Sequence, residues 1–208
     1  MALNSTTSIL LLFLALAMAA TPRTAVAGDP DIISDFIVPA NCTFVDGKFF
    51  TYTGLRGIFD STPPTFKVTK ASMAEFPALN GESVSYAVLQ FPARGVNPPH
   101  THPRAAELLF LVDGVLEVGF VDTKNVLYTQ KLKVGDMFVF PKGLVHFQFN
   151  HNHKRPAIAI SAFGSASAGT VSAPVSAFAT GIDDIILAKS FKTDVDTIKK
   201  LKAGITKP

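Results

Sequence analysis

A single cysteine, Cys42, occurs in the 208 residues, so no disulfide can close within one chain. Stability must then come from core size, a bound metal or association of subunits. Tryptophan is absent, whereas phenylalanine is abundant at 18, a bias that suits a β-rich core. No basic run accompanies the net charge of +3, and nucleic-acid binding has no support in the sequence. The longest apolar run is the twelve residues from Ile9 to Ala20, too short to span a bilayer as a helix. No alternation of strands with helices is visible, which argues against a parallel α/β sheet.

The apolar run has a different reading. It is followed by Thr21-Pro22-Arg23 and by Ala25-Val26-Ala27, an A-x-A pattern cut after Ala27 in a secretory signal peptide. Residues 1–27 are therefore expected to be removed, leaving residues 28–208 as one domain of 181 residues (208 − 27). Arg23 is the only charged side chain lost, so the balance falls to +2, from 3 − 1. A mildly basic secreted protein favours anionic partners, acidic polysaccharide or small anions. Asn41-Cys42-Thr43 fits the N-x-[ST] acceptor pattern and marks Asn41 as a candidate glycosylation site. Cys42 itself reads equally as a small buried hydrophobe or an exposed thiol.

Residues 28–70 read as a loop-rich arm, punctuated by Pro39, Gly47, Gly54, Gly57 and Pro63-Pro64. Phe49–Thr53 and Thr65–Thr69 are strand-like within it, and Ser72–Phe76 suggests one helical turn. From Ser83 onward, strands are expected at Val84–Phe91, around His100–His102, and at Glu107–Val112, Val115–Val121, Val126–Leu132, Met137–Phe140, Val145–Phe149 and Ala157–Phe163. Asp113-Gly114 is the hairpin signal among them. Such a series of short strands predicts an all-β antiparallel sandwich or barrel. Residues 164–179, small and polar, read as a loop with an edge strand. The tail, 181–208, is expected to be helical, over Asp183–Ser190 and then after a Thr193 or Asp194 cap, with Val195, Ile198 and Leu201 as an apolar stripe that needs a partner.

Chemistry concentrates in two segments. In Asn97-Pro98-Pro99-His100-Thr101-His102-Pro103-Arg104, two of the five histidines lie two apart. On an extended strand they share a face about 7 Å apart, close enough to close on one metal ion. Glu107 has the wrong parity for that face unless the Pro103-Arg104 break lets the chain re-enter as a new strand. His146, in Pro141-Lys142-Gly143-Leu144-Val145-His146, supplies a further imidazole on a later strand. Another pair, His151 and His153, has no carboxylate at a matching spacing and is flanked by Lys154 and Arg155. It reads as an exposed turn. Phe147 and Phe149 read as sheet packing, and Asn150 as support for a turn.

Together, H-x-H-x4-E-x6-G (His100, His102, Glu107, Gly114) and G-x5-P-x-G-x2-H-x3-N (Gly135, Pro141, Gly143, His146, Asn150) resemble the two motifs of the cupin superfamily. The wording around them, the Gly28-Asp29-Pro30-Asp31 start and the helical tail are similar to plant germins and germin-like proteins, in the branch without the N-terminal disulfide. Where the family commonly has Gly-Gly before the first motif, this chain has Arg94-Gly95. The resemblance implies a cupin jelly-roll β-barrel with His100, His102, Glu107 and His146 on one ion, usually manganese. Three imidazoles and one carboxylate leave an octahedral ion about two open positions; zinc, iron and copper are not excluded by affinity, although no thiolate points to a closed zinc site.

The resemblance further implies secretion to the apoplast or cell wall and association as a trimer of dimers. Superoxide dismutase activity is the leading expectation. Oxalate oxidase is the alternative enzyme; Asn97 matches one of its two anchoring amides, but Ala87 stands where the other is expected. A third class is non-catalytic: an auxin-like small-ligand receptor or a storage protein.

Overall fold

Strict alternation builds the protein. In β4 (Glu107–Asp113), Glu107, Leu109 and Leu111 are buried and Leu108 and Phe110 are exposed; in β9 (Ala157–Phe163), the odd-numbered residues are buried. A strand with one face turned inward must pair with others that do the same. The computed structural model describes residues 28–205. It contains two five-stranded antiparallel sheets.

The first sheet orders β1 (Lys67–Ala71), β2 (Ser85–Phe91), β9, β4 and β7 (Met137–Phe140). The second orders β10 (Val171–Ser172), β3 (Val96–Thr101), β8 (Val145–Phe149), β5 (Val115–Val121) and β6 (Leu127–Lys133). Their inner faces close a jelly-roll core around Leu89, Phe91, Leu109, Leu111, Leu116, Val118 and Phe140. Burial of those apolar faces against each other is the main stabilising term.

Three helices follow the sheets: α1 (Ala173–Phe178), α2 (Asp184–Phe191) and α3 (Val195–Ile205). Asp183 caps α2 by accepting from the backbone N–H groups of Ile185 and Ile186. Asp194 caps α3, accepting from Thr197 N at 2.8 Å. Of the expected apolar stripe, Ile198 is buried against Leu187 and Ala188 with Val195 beside it, whereas Leu201 stays exposed.

Three expectations change. Phe49–Thr53 forms turn and irregular chain, because it has no partner strand; Tyr52 instead stacks on Phe76 at 5.5 Å. The strand expected at Thr65–Thr69 lies at Lys67–Ala71, two residues later. Residues 164–179 hold a short helix, α1, as well as the edge strand β10. The turn at Ser72–Phe76 is present, with Phe76 N donating to Ser72 O at 2.7 Å. Residues 1–27, including the expected signal peptide, lie outside the described residues.

The start of the arm is tied to the far end of the fold. Asp29 accepts from Ser165 Oγ at 2.5 Å and from Ala166 N at 2.7 Å. Charge-assisted bonds of this kind are stronger than neutral ones, and their loss also leaves the Ala166 N–H without its partner. Asp29→Ala is expected to cost about 2 kcal/mol of stability. A thermal melt of the variant checks it; an unchanged midpoint would show that the tie contributes nothing.

Candidate metal centre

The first histidine segment is shaped by its prolines. Pro98 and Pro99 carry no N–H, so the β3–β8 ladder breaks between Asn97↔Gln148 and His100↔His146. Three steps along β3 face two along β8, an extra residue that restores parity. Asn97 and His100 therefore turn to the same interior side, with Gln148 and His146 opposite. His102 lies one residue past the end of β3 and is not part of one continuous strand with His100. The chain then crosses to the other sheet, where Glu107 opens β4. The parity objection to Glu107 disappears because the two sheets face each other. Gly143, at φ +78 in the turn before β8, donates its N–H to His102 O at 3.1 Å and ties the two motifs together.

His100, His102, Glu107 and His146 are all buried, and one ligand atom from each lies within 4.8 Å of the others. Each imidazole is oriented by a backbone carbonyl: His100 Nδ1 by Pro98 O at 2.9 Å, His146 Nδ1 by Leu144 O at 2.8 Å, and His102 Nδ1 by Gly169 O. A carbonyl can only accept, so each Nδ1 carries the hydrogen and each Nε2 is left with its lone pair. The Nε2 atoms of His102 and His146 both lie 3.1 Å from Glu107 Oε2. Lone pairs facing a carboxylate oxygen at that distance repel unless a proton or a cation sits among them.

A metal ion satisfies all four donors at once. With bonds of about 2.0–2.2 Å, donors at right angles stand about 2.8–3.1 Å apart, and tetrahedral donors about 3.3–3.6 Å. The 3.1 Å spacing fits the right-angle case. The donor set thus fits a cupin metal site, and its hard oxygen and imidazole character suits an octahedral ion with open positions.

Burial pushes the His100 imidazole down to about 4, and the neighbouring His146 adds to the shift. Burial alone would raise Glu107, but a proton on the Nε2 of His102 or His146, which would donate to Oε2, together with the Ser161 hydroxyl outweighs it and holds the carboxyl at about 2. Above pH 4 both groups are therefore in the form that binds a cation. Because His100 in an unfolded chain accepts a proton near 6.5, the metal-free fold loses stability as pH falls from there to about 4. The midpoint of thermal unfolding of the metal-free protein is expected to fall as pH drops from about 6.5 to about 4. Thermal melts across that range check this; a midpoint that rises as pH falls would contradict it.

A cavity of about 430 Å³ reaches the centre. His100, His102, Glu107 and Asn97 line it together with apolar Val68, Ala87, Leu89 and Phe163, and Lys70 and Glu75 also contribute to its wall. His146 sits behind, its ring stacked on Phe140 at 4.5 Å. Asn97 Nδ2 donates to Gln148 Oε1 at 2.7 Å and lies 3.5 Å from His100 Nε2. Ala87 lines the same cavity as Asn97, on the other sheet.

The remaining histidines stay outside. His151 and His153 are exposed in the β8–β9 connection, as expected of a turn. His151 does meet a carboxylate, Glu117 Oε2 at 2.5 Å, because β5 runs beside β8 and brings in a residue 34 positions away. Arg94 points away from the centre, contacting His153 at 3.2 Å and the Phe149 ring. Asn150 is fully buried and holds the turn, donating to Pro92 O and Arg155 O and accepting from Asn152 N. Cys42 is half-buried, its thiol 3.3 Å from Phe44 O. Asn41 is exposed in a turn.

Two contributors carry little sequence signal. Gly169, whose carbonyl holds His102, sits in a loop after β9; its φ is +71, and an added Cβ would meet the Arg104 guanidinium at 2.7 Å. Ser161 donates to Glu107 Oε1 at 2.5 Å. Its only trace is parity, as a hydroxyl in the inward row Ala157, Ala159, Ser161, Phe163.

The family model described as Cupin matches residues 58–199. The chain belongs to the cupin family. Within it, the chain is germin-like: it is 62% identical to germin-like protein 9-3 of Oryza sativa subsp. japonica, over 97% of each chain. It is 36% identical to nectarin-1 of Nicotiana plumbaginifolia, over 87% of this chain and 85% of that one. Among solved structures, an oxalate oxidase superposes with a TM-score of 0.75 at 31% identity, covering 86% of this chain and 98% of the other. Peruvianin-I, described as a cysteine peptidase from Thevetia peruviana latex, superposes at 0.61 with 26% identity, over 69% and 96%. One fold thus carries proteins described by different reactions, and the reaction must be argued from the site.

Proposed function

We propose that this germin-like cupin is a secreted, manganese-dependent protein of the apoplast whose centre dismutates superoxide. The observation that carries the reading is the buried group of three Nε2 lone pairs and one carboxylate on an open cavity, with two of the nitrogens at right-angle spacing from the carboxylate oxygen. His100, His102, Glu107 and His146 would hold the ion, which alternates between two oxidation states when bound. The backbone carbonyls of Pro98, Leu144 and Gly169 keep the three rings in one tautomer. Lys70 in the cavity wall offers a cation to a small anion, offset in part by Glu75 of the same wall. Asn97 offers an amide beside the open side of the centre, where it can donate to a bound oxygen.

Oxalate oxidase is the second reading, supported by the superposition on a protein of that activity. It is weakened at Ala87, whose methyl lines the cavity where the resemblance expects a second anchoring amide. A non-catalytic receptor for a small carboxylate draws support from a cavity far larger than superoxide requires. The secreted protein should contain manganese, dismutate superoxide and release no peroxide from oxalate. Peroxide release would favour the oxidase, and a manganese-loaded protein inert in both assays would favour binding alone.

Association follows from exposed apolar surface. Leu108 and Phe110 of β4 and Met137 and Val139 of β7 share the outer face of the first sheet, and Ile185, Ile186 and Phe191 are exposed on α2. Two separate apolar faces suit a trimer of dimers. Light scattering should give a mass well above one chain; a monomer at micromolar concentration would contradict it. Intact mass reads the remaining proposals at once. The secreted chain should begin at Gly28 as one domain of residues 28–208 and carry a glycan on exposed Asn41, and an unprocessed, unmodified mass would refute both.

A further inference from the structure

We infer that Ser161 is a positioning residue that restricts Glu107 to one ligand oxygen and thereby keeps a coordination position open for substrate. The inference rests on the reading of His100, His102, Glu107 and His146 as metal ligands.

A buried hydroxyl needs a reason. Ser161 is fully buried on β9, between Ala87 of β2 and Leu109 of β4 in the strand register, and every other residue of its inward row is Ala or Phe. A hydroxyl there is costly unless it is hydrogen-bonded. The partner it finds is Glu107, two residues along β4 from its register partner Leu109 and so on the same face, with Ser161 Oγ donating to Oε1 at 2.5 Å. The other oxygen, Oε2, faces the Nε2 atoms of His102 and His146. The carboxylate is thus divided: one oxygen is committed to the protein and one to the centre.

That division has a chemical consequence. A carboxylate can bind an ion through one oxygen or both. With both oxygens engaged, the protein would supply five donor atoms, leaving about one octahedral position open; with Oε2 alone it supplies four, leaving about two. A hydroxyl on Oε1 opposes the rotation that would bring both oxygens inward. Carboxylate ligands depend on such outer partners for orientation. Ser161 therefore acts on the number of sites available to water or substrate, through Glu107.

The test uses full-length secreted protein, wild type with Ser161→Ala, Ser161→Thr and Ser161→Cys. Manganese(II) is loaded and bound water is counted from ¹⁷O-water broadening of the electron paramagnetic resonance spectrum. Wild type and Ser161→Thr, which keeps the hydroxyl, should hold about two waters, and Ser161→Ala about one. Equal counts in wild type and Ser161→Ala would overturn the proposal. Should Ser161→Ala fail to fold, Ser161→Cys, with a weak donor of similar shape, serves in its place. If wild type binds no manganese, the metal reading fails separately. Crystals of the metal-free proteins then decide Ser161: a Glu107 carboxylate that rotates in Ser161→Ala supports positioning, and one that stays in place refutes it.

Discussion

Replacing His146 by alanine should remove metal and catalysis together while leaving the protein folded. The side chain supplies one of four donors, it is buried, and its Nε2 is directed at Glu107 Oε2 by the bond from Nδ1 to Leu144 O. Loss of a residue that merely orients a ligand lowers metal affinity about 10–100-fold, so loss of the ligand itself should exceed about 100-fold. The fold has reason to survive. Phe140, stacked on the imidazole, is packed on its other sides by the core, and His146 sits in a strand paired on both edges. Metal affinity measured by chelator competition, with dismutase activity and a thermal melt of the metal-free form, checks the three parts. Activity that survives metal loss would refute the assignment of the reaction to this centre.

Phe140→Ala is expected to have the largest effect on stability. The ring is fully buried, lies in the central core cluster and contacts Phe138 at 5.1 Å as well as His146 at 4.5 Å. Removing it deletes most of a large side chain at a position where neighbouring strands cannot collapse, because β4 pairs with β7 through Glu107↔Phe140. The cost should be about 3–5 kcal/mol. Since Phe140 also backs the His146 ring, metal affinity should fall in the variant that still folds. Phe140→Leu, which keeps much of the volume, should recover most of the stability but less of the affinity, because it cannot stack. Denaturant titration and chelator competition on both variants separate the two effects. A loss under 1 kcal/mol for Phe140→Ala would show that the ring is not part of the core.

The four donors were legible because they lie in two short segments whose spacing is set by local backbone rules. His100 and His102 are two apart, Pro103-Arg104 breaks the chain, and Gly143 turns it before His146. What surrounds them was not legible, since it arises from register between distant strands. Ser161 reaches Glu107 across 54 positions, Gly169 holds His102 across 67, and Gln148 receives Asn97 across 51. The bulge that turns Asn97 inward is visible only when β8 is laid beside β3.

The fold shows the same division. The strands from β2 to β9 were readable within a few residues from alternation and turn signals. Phe49–Thr53 is strand-like in its aromatic and β-branched composition, but no strand among the described residues pairs with it. The helix α1 leaves little trace in the sequence, since Ala173-Pro174-Val175-Ser176-Ala177-Phe178 is short and has no polar cap bond or apolar period to announce it. Propensity decided neither case; available partners did.

Anomalous diffraction at the manganese edge from crystals grown with manganese(II) would locate the ion. One strong peak per chain is expected, about 2.0–2.3 Å from the Nε2 atoms of His100, His102 and His146 and from Glu107 Oε2. A map with manganese elsewhere, or with no peak among these four atoms at saturating metal, would contradict it.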